Sequence, residues 1–408
     1  MELLNTLSIE EAKGLIKENF KDLILEVEEV SLLEAADRIV AEEVISAISV
    51  PEFNRSTVDG YAVKAKDTNG ASETLPSFLN NVGSVEMGKE TSLAIKSGEC
   101  CYVPTGGMLP AGSDGVVMVE YTEQLDERTI CIQKPIAPLE NVLQKGDDIA
   151  VRQVLFNIGH RLRSQDIGAL AGIGIEAVKV FKKLKIGIIS TGDEIIGPDE
   201  ELKLGQIRDM NTYSLGAAAE KDGCEVVCRS VIKDEIHLLQ NKIEEFLNSC
   251  DMVLISGGSS MGAKDVTKDA INMVGEPGVF IHGLAVKPGK PTIVGRIGKK
   301  AVFGLPGQPV SALVIYHVIV KRLIQDIYKT SLPEAYITGE LSVNISSAAG
   351  KEHYVMVNIS QENDKNIVIP VHGKSGMLTM MTKSLGYIKI QQNQEGLYKG
   401  QEVKVFIF

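Results

Sequence analysis

Between residues 184 and 330, short runs of β-type apolar residues alternate with stretches whose apolar positions recur at helical spacing, and this alternation constrains the fold more than any other feature of the chain. Strands are expected at KIGIIS (185–190), EVVCRSVI (225–232) and MVLIS (252–256), with a strand pair at PTIVGRI and KKAVFGL. Helices are expected at about 211–222, at EIHLLQNKIEEFLNSC (235–250), at KDAINMV, and over the long stretch PVSALVIYHVIVKRLIQDIY, with Pro309 in its first turn. Such a pattern reads as a doubly wound α/β domain around a mostly parallel sheet. Ligands of such sheets bind outside the carboxyl ends of the strands.

Three of those strand ends carry unusual turns. KIGIIS runs into Thr191-Gly192-Asp193-Glu194, MVLIS into Gly257-Gly258-Ser259-Ser260-Met261-Gly262, and AVF into Gly304-Leu305-Pro306-Gly307-Gln308-Pro309. Glycine lets a backbone approach a phosphate and turn its N–H groups inward, and hydroxyls add donors, so each turn suits an oxyanion. No GK[ST] or GxGxxG is present, which excludes the common nucleotide fingerprints. Lys287 and Lys290 lie on the proline-braced loop KPGKP, where two cations focus a positive field on an anion; a solvated basic turn is the plain alternative. Carboxylates also gather at glycine turns: Asp59 before Gly60, Asp148 after Gly146, Glu194 after Gly192, and Asp265 beyond the Gly257 turn. Carboxylate beside phosphate is the oxygen set Mg²⁺ takes, though each acid alone would serve equally to cap its turn.

Outside this region the chain changes character. Ser8 and Glu11 form a capping box for a helix over 8–20 with Ile9, Ala12, Leu15, Ile16 and Phe20 on one face. Residues 27–50 read as a strand and a helix, 51–150 as short strands joined by glycine turns, 151–183 as helix plus strand, and 331–408 as alternating β runs forming a small barrel or sandwich. At 408 residues, and roughly 100 to 200 residues per domain, several domains are expected. A net charge of −12 argues against a nucleic-acid coat or adhesion to an anionic membrane, both of which need a positive field. No apolar run reaches the roughly 18 residues of a membrane-spanning helix, so a cytoplasmic protein is expected. Six scattered cysteines and six histidines make neither a disulfide framework nor a zinc site.

Eight blocks then carry a resemblance: PEFNRSTVDGYAV (51–63), VPTGGMLPAGSDGVVMVE (103–120), KGDDI (145–149), STGDEI (190–195), GQIRDMNTYSL (205–215), SGGSSMGAKDVTK (256–268), KPGKP (287–291) and GLPGQPVSALV (304–314). In this order they resemble the molybdopterin molybdenumtransferases of the MoeA type, similar to the E domain of gephyrin, and the likeness runs over essentially the whole chain.

The resemblance implies four parts: a linker domain (27–50 and 151–183), a β-rich domain (51–150), a molybdopterin-binding α/β domain (184–330, with 7–26 packed on it) and a C-terminal β-barrel (331–408). It implies a homodimer whose cleft lies between the α/β domain of one subunit and the β-rich domain of the other. Asp59, Asp148, Glu194, Asp234 and Asp265 would carry the catalysis there, with Asp59, Glu194 and Asp265 on Mg²⁺. The ligand would be held by Thr191, Gly192, Gly257, Gly258, Ser259, Gly262, Lys287, Lys290, Pro306 and Gly307.

The implied reaction takes molybdopterin-AMP and molybdate as substrates and releases AMP, with a molybdopterin adenylyltransferase as the supplying partner. A non-catalytic molybdopterin-binding scaffold is the alternative within the family, and a nucleotide amidohydrolase sharing only the α/β domain is disfavoured by the blocks outside it. The chain departs from the family pattern at Gln308, where Asn is usual, at Gly283, near a position where some relatives have a lysine, and at Met356, where an arginine is often seen.

Overall fold

The computed structural model describes residues 6–258, 266–330 and 335–408, apart from the side chain of Leu378. The chain divides into two compact units: Met1–Ala41 with Ile158–Arg163 and Ala177–Phe408, and Glu42–Asn157 with Ser164–Glu176.

The first unit is built on the expected α/β domain. Its elements are β1 (Lys185–Thr191), α1 (Asn211–Lys221), β2 (Glu225–Ile232), α2 (Ile236–Ser249), β3 (Met252–Gly257), α3 (Val266–Val274), β4 (Pro277–His282), β5 (Ile293–Ile297) and β6 (Lys300–Leu305). The sheet order is β2-β1-β3-β6-β5-β4. The first four strands run parallel, whereas β5 runs antiparallel between β6 and the edge strand β4. Strand β4 is absent from the sequence reading, because EPGVFIH is too short and glycine-marked to signal a strand by pattern. β1, β3 and β6 are buried almost throughout, which is why they read as continuous apolar runs rather than alternating ones.

The amino-terminal helix Ile9–Phe20 has both halves of its capping box, Ser8 receiving Glu11 N–H and Glu11 reaching back to Ser8 N–H. It buries Ile9, Ala12, Ile16 and Phe20 in the core shared with β1, β3 and β6. Arg296, on β5, clamps its end through Asp22 (2.7 Å) and the carbonyl of Asn19.

The long carboxyl-terminal helix of this domain is interrupted. Pro309–Ile315 and Lys321–Ile327 are α-helical, but Tyr316–Val320 forms a π turn between them. The inserted turn accompanies a buried polar knot, in which Tyr316 Oη donates to Asp222 (3.0 Å) and Lys321 pairs with the same carboxylate (2.7 Å).

His317 lies in this turn with its ring 5.2 Å from that of Phe408. Burial, helped by Lys321 and Lys221 and opposed by Asp222, pushes its pKa down to about 4 from an ordinary 6.5. Between those values the unfolded chain holds the extra proton, so stability present above pH 6.5 is lost as pH falls toward 4. The urea midpoint of His317→Asn should therefore fall less than that of the parent between pH 7 and pH 4.5. Equal falls would remove His317 as a source of the acid sensitivity.

The expected helix in 27–50 does not form. Val27–Ser31 is a strand paired with Ala177–Phe181, residues 32–37 are turns with Asp37 in the left-handed region at φ 63°, and Val44–Ile45 is a second short strand. Tertiary partners take the backbone groups a helix would use: Asp37 N–H donates to Leu162 O, Val40 N–H to His160 O, and Ile39 O accepts from Phe181 N–H.

The carboxyl-terminal β runs close into a five-stranded barrel of Tyr336–Leu341, Glu352–Glu362, Lys365–Pro370, Gly386–Ile390 and Glu402–Ile407. Its interior is filled by Leu341, Val357, Val368, Ile388, Ile390 and Val405.

The second unit contains the β-rich domain, a six-stranded mixed sheet in the order Gly115–Met118, Gly60–Val63, Glu99–Val103, Ser77–Ser84, Thr129–Ile132, Thr122–Gln124. Two apolar clusters flank this sheet, one around Tyr61, Val63, Leu79 and Ile130 and the other around Ala62, Val85, Cys101 and Val116. All six cysteines of the chain are free thiols, five of them buried. No helix among the described residues is long and apolar enough to cross a membrane.

Candidate functional site

The carboxyl ends of β1, β3 and β6 lie side by side, with Thr191 opposite Gly257 and Ser256 opposite Leu305. Strand order reverses between β1 and β3, since β1 leads outward to β2 on one side and β3 has β6 on the other. A crevice for ligand forms at such a point.

Two glycines make the close approach there possible. Gly257 has φ 106°, and a Cβ at this position would sit 2.1 Å from the carbonyl oxygen of Thr191. Gly258 has φ 63°, and a Cβ there would lie 2.7 Å from Thr267 Oγ1. A side chain at Gly307 would begin 3.4 Å from Gly257 Cα, so the turns after β3 and β6 face each other with almost no side-chain bulk. Backbone polar groups without intervening Cβ atoms are what a phosphate-bearing ligand requires.

Polar side chains brace this notch from behind. Thr191 Oγ1 donates to Asp234 Oδ1, which draws the acid beyond β2 toward the end of β1. Thr267 Oγ1 donates to Gly257 O (3.3 Å). Asn211, the first residue of α1, donates from Nδ2 to Ser256 Oγ and to Gly307 O, both at 2.7 Å. Asp209 accepts from the amide (3.3 Å) and hydroxyl of Thr212, fixing the first turn of α1. Asn211, Ser256, Thr267 and Asp209 are all buried.

The sequence reading assigned none of these four a role. The signal was present: a serine at the last positions of an otherwise apolar strand, as at Ser190 and Ser256, and a polar DMNT run opening a helix.

The remaining expected residues fall as follows. Gly192 N–H donates to Ile232 O (3.1 Å), and the exposed Glu194 carboxylate lies beside it, Oε2 being 2.9 Å from where a Gly192 Cβ would stand. Pro306 O accepts from Ser256 Oγ (3.3 Å). Lys287 and Lys290 are exposed, and Val286–Lys287 pairs with Glu352 and His353 of the barrel. Burial, together with Lys287 and Lys351, pushes the neighbouring His353 down to about 4. Ser259, Gly262 and Asp265 lie outside the described residues.

Asp59 and Asp148 belong to the second unit. Asp59 is exposed, and its Oδ1 accepts from Thr105 N–H (2.7 Å) and Thr105 Oγ1 (3.1 Å). Asp148 is exposed, and its backbone N–H donates to Val50 O (3.1 Å). Three carboxylates such as Asp59, Glu194 and Asp265 have the hard-oxygen chemistry Mg²⁺ prefers. Among the described residues, however, no group of three His, Cys, Asp or Glu is gathered tightly enough to hold a metal.

The three family departures have distinct settings. Met356 is fully buried in the main core, so this position serves packing. Gln308 stands at the N-cap position of the helix Pro309–Ile315 without a side-chain capping bond, and its Oε1 receives the hydroxyl of Ser375. Gly283 has φ 101°, a conformation in which a lysine would be strained.

Three family models match in succession: "MoeA N-terminal region (domain I and II)" over residues 7–174, "Probable molybdopterin binding domain" over 187–326, and "MoeA C-terminal region (domain IV)" over 338–408. The chain is 33% identical to a putative molybdopterin biosynthesis protein of Methanocaldococcus jannaschii, covering 99% of this chain and 98% of that one. It is 30% identical to the molybdopterin molybdenumtransferase of Haemophilus influenzae, covering 93% of each. Two crystal structures of molybdopterin biosynthesis MoeA protein from Pyrococcus horikoshii superpose over 99% of this chain, one at TM-score 0.81 and 36% identity, the other at 0.85 and 30%. With matches that run from the first domain to the last and a fold that agrees throughout, the chain belongs to the MoeA family of molybdopterin molybdenumtransferase-like proteins, whose role lies in molybdenum-cofactor biosynthesis.

Proposed function

We propose that this protein inserts molybdate into adenylylated molybdopterin, cleaving the phosphoanhydride, releasing AMP and leaving molybdenum on the dithiolene. The observation that supports the reading is the set of glycine turns at the switch point, where Gly257 and Gly258 pack against Thr191 and Thr267 too closely for any Cβ and Gly307 abuts Gly257, so that backbone lines this edge of the sheet. On this reading the turns hold the phosphate groups of the substrate. Asp234, oriented by the Thr191 hydroxyl, and Glu194, beside Gly192, supply negative charge at the same edge. The family resemblance assigns Asp59, held by Thr105, and Asp148 to the catalysis as well, and Lys287 and Lys290 offset the charge of the anionic substrate. A Mg²⁺ ion bound through Asp59, Glu194 and Asp265 would neutralise charge on the phosphate oxygens.

A homodimer, a cytoplasmic location and delivery of substrate by a molybdopterin adenylyltransferase belong to the same reading. Light scattering at micromolar concentration should return the mass of two chains, and the mass of a single chain would count against the dimer.

A second reading, a molybdopterin-binding scaffold without turnover, is favoured by one observation. Met356 fills the core where the family resemblance implies an arginine, and Gly283 holds a left-handed turn near where it implies a lysine, so on that resemblance two charges that would help bind an anion are absent. Purified protein given adenylylated molybdopterin, molybdate and Mg²⁺ should release AMP in step with molybdenum incorporation. Tight binding of the substrate without AMP release would favour the scaffold instead.

A further inference from the structure

Asn211 opens α1 and is 95% buried, its exposure being 5%. Its two amide hydrogens go to two different strand ends, Ser256 Oγ at the end of β3 and Gly307 O in the turn after β6. Ser256 Oγ then donates to Pro306 O (3.3 Å), closing a three-point link between helix, strand and turn. Chemistry fixes the orientation of the amide, because the Gly307 carbonyl only accepts and a flipped side chain would set two acceptors face to face.

With both hydrogens so used, Asn211 Oδ1 is left buried without a partner, and so is the hydroxyl of Ser190, which stands opposite Ser256 in the sheet. An unpaired buried acceptor weakens the folded state, and an apolar side chain would fill the space without that cost. The amide is therefore explained by what it ties together.

We propose that Asn211 is a positioning residue: by clamping the end of β3 to the Gly307 turn, it fixes the relative placement of the glycine turns whose backbone a phosphate-bearing ligand would meet. The inference rests on the transferase reading above. The two turns are in contact, a Gly307 Cβ beginning 3.4 Å from Gly257 Cα, so a shift of one turn against the other displaces the backbone groups offered to the ligand. Asp209, which pins Thr212 in the first turn of α1, keeps Asn211 itself from shifting.

The test is calorimetric titration of the full chain with AMP, the expected product, for the parent, Asn211→Ala, Ser256→Ala and the double variant, with melting temperatures measured alongside. Asn211→Ala should weaken AMP binding tenfold or more at a temperature well below its melting point. Ser256→Ala should shift Kd in the same direction by less, and the double variant should lose little beyond Asn211→Ala, since both act through one link. A side chain of purely structural value would lower the melting temperature and leave Kd within twofold of the parent, and that result overturns the proposal. Should Asn211→Ala fail to fold, Ser256→Ala decides, and an unchanged Kd there is equally fatal. Parent protein that binds no AMP would overturn the transferase reading and this proposal together. Binding by the parent with unaltered variants overturns the positioning role alone.

Discussion

Replacing Gly257 with alanine should destabilise the protein by roughly 2–4 kcal/mol and remove most ligand binding. Two costs add at this position. The residue is held at φ 106°, where a Cβ is strained whatever space surrounds it, and the Cβ would sit 2.1 Å from the carbonyl oxygen of Thr191. The obstacle is backbone of the neighbouring strand, so no side-chain rotation relieves it, and β1 and β3 must separate at their carboxyl ends. Those strand ends form the floor of the notch, so affinity should fall even where the variant remains folded. Gly14→Ala serves as the contrast, because this glycine lies within the helix Ile9–Phe20 with nothing within 4 Å of its Cβ position. It should stabilise the fold by about 0.5–1 kcal/mol. Urea denaturation of both variants, with AMP titration of the folded protein, checks the pair. A Gly257→Ala protein as stable as its parent, with unchanged affinity, would mean that the strand ends are looser than their packing indicates.

Asp59→Asn should lower turnover by a factor of about ten to a thousand while leaving the melting temperature close to that of the parent, the range typical of losing one electrostatic catalytic contact. The structure makes this substitution informative. Both bonds from Thr105 arrive at the same oxygen, Oδ1, so asparagine can keep them with its carbonyl and present its amide on the other side. Shape and turn geometry survive, and the negative charge needed by a hard divalent ion does not. Asp59→Ala removes the turn contact as well and should lower both activity and melting temperature. If Asp59 serves only the Thr105 turn, Asp59→Asn will turn over normally, and a normal rate accompanied by a lowered melting temperature would sink its catalytic assignment.

How much of this was legible beforehand depended on the range of the interaction responsible. The helix over 9–20 was readable because its capping box spans three residues and its apolar face repeats within one turn. The strands of the α/β domain and of the barrel were readable because burial leaves a local period or an unbroken apolar run. The glycine turns were readable as well, since Gly257 and Gly258 adopt backbone conformations that favour glycine and a cluster of glycines marks a turn by itself.

The segment 27–50 misled for the complementary reason. Its apolar spacing suits a helix, yet hydrogen bonds to residues 160–162 and 179–181, far along the chain, claim the backbone instead. The π turn at Tyr316–Val320 likewise accompanies a contact with Asp222, which helical periodicity does not register.

Sequence alone thus determined the order and type of most elements, the glycine turns at the strand ends and, through its motifs, the family. The tertiary structure alone decided which polar groups brace those turns. Asn211 reaches Ser256 and Gly307 across 45 and 96 residues because the sheet order places β3 beside β6, and strand order is a global property that no local pattern of side chains encodes.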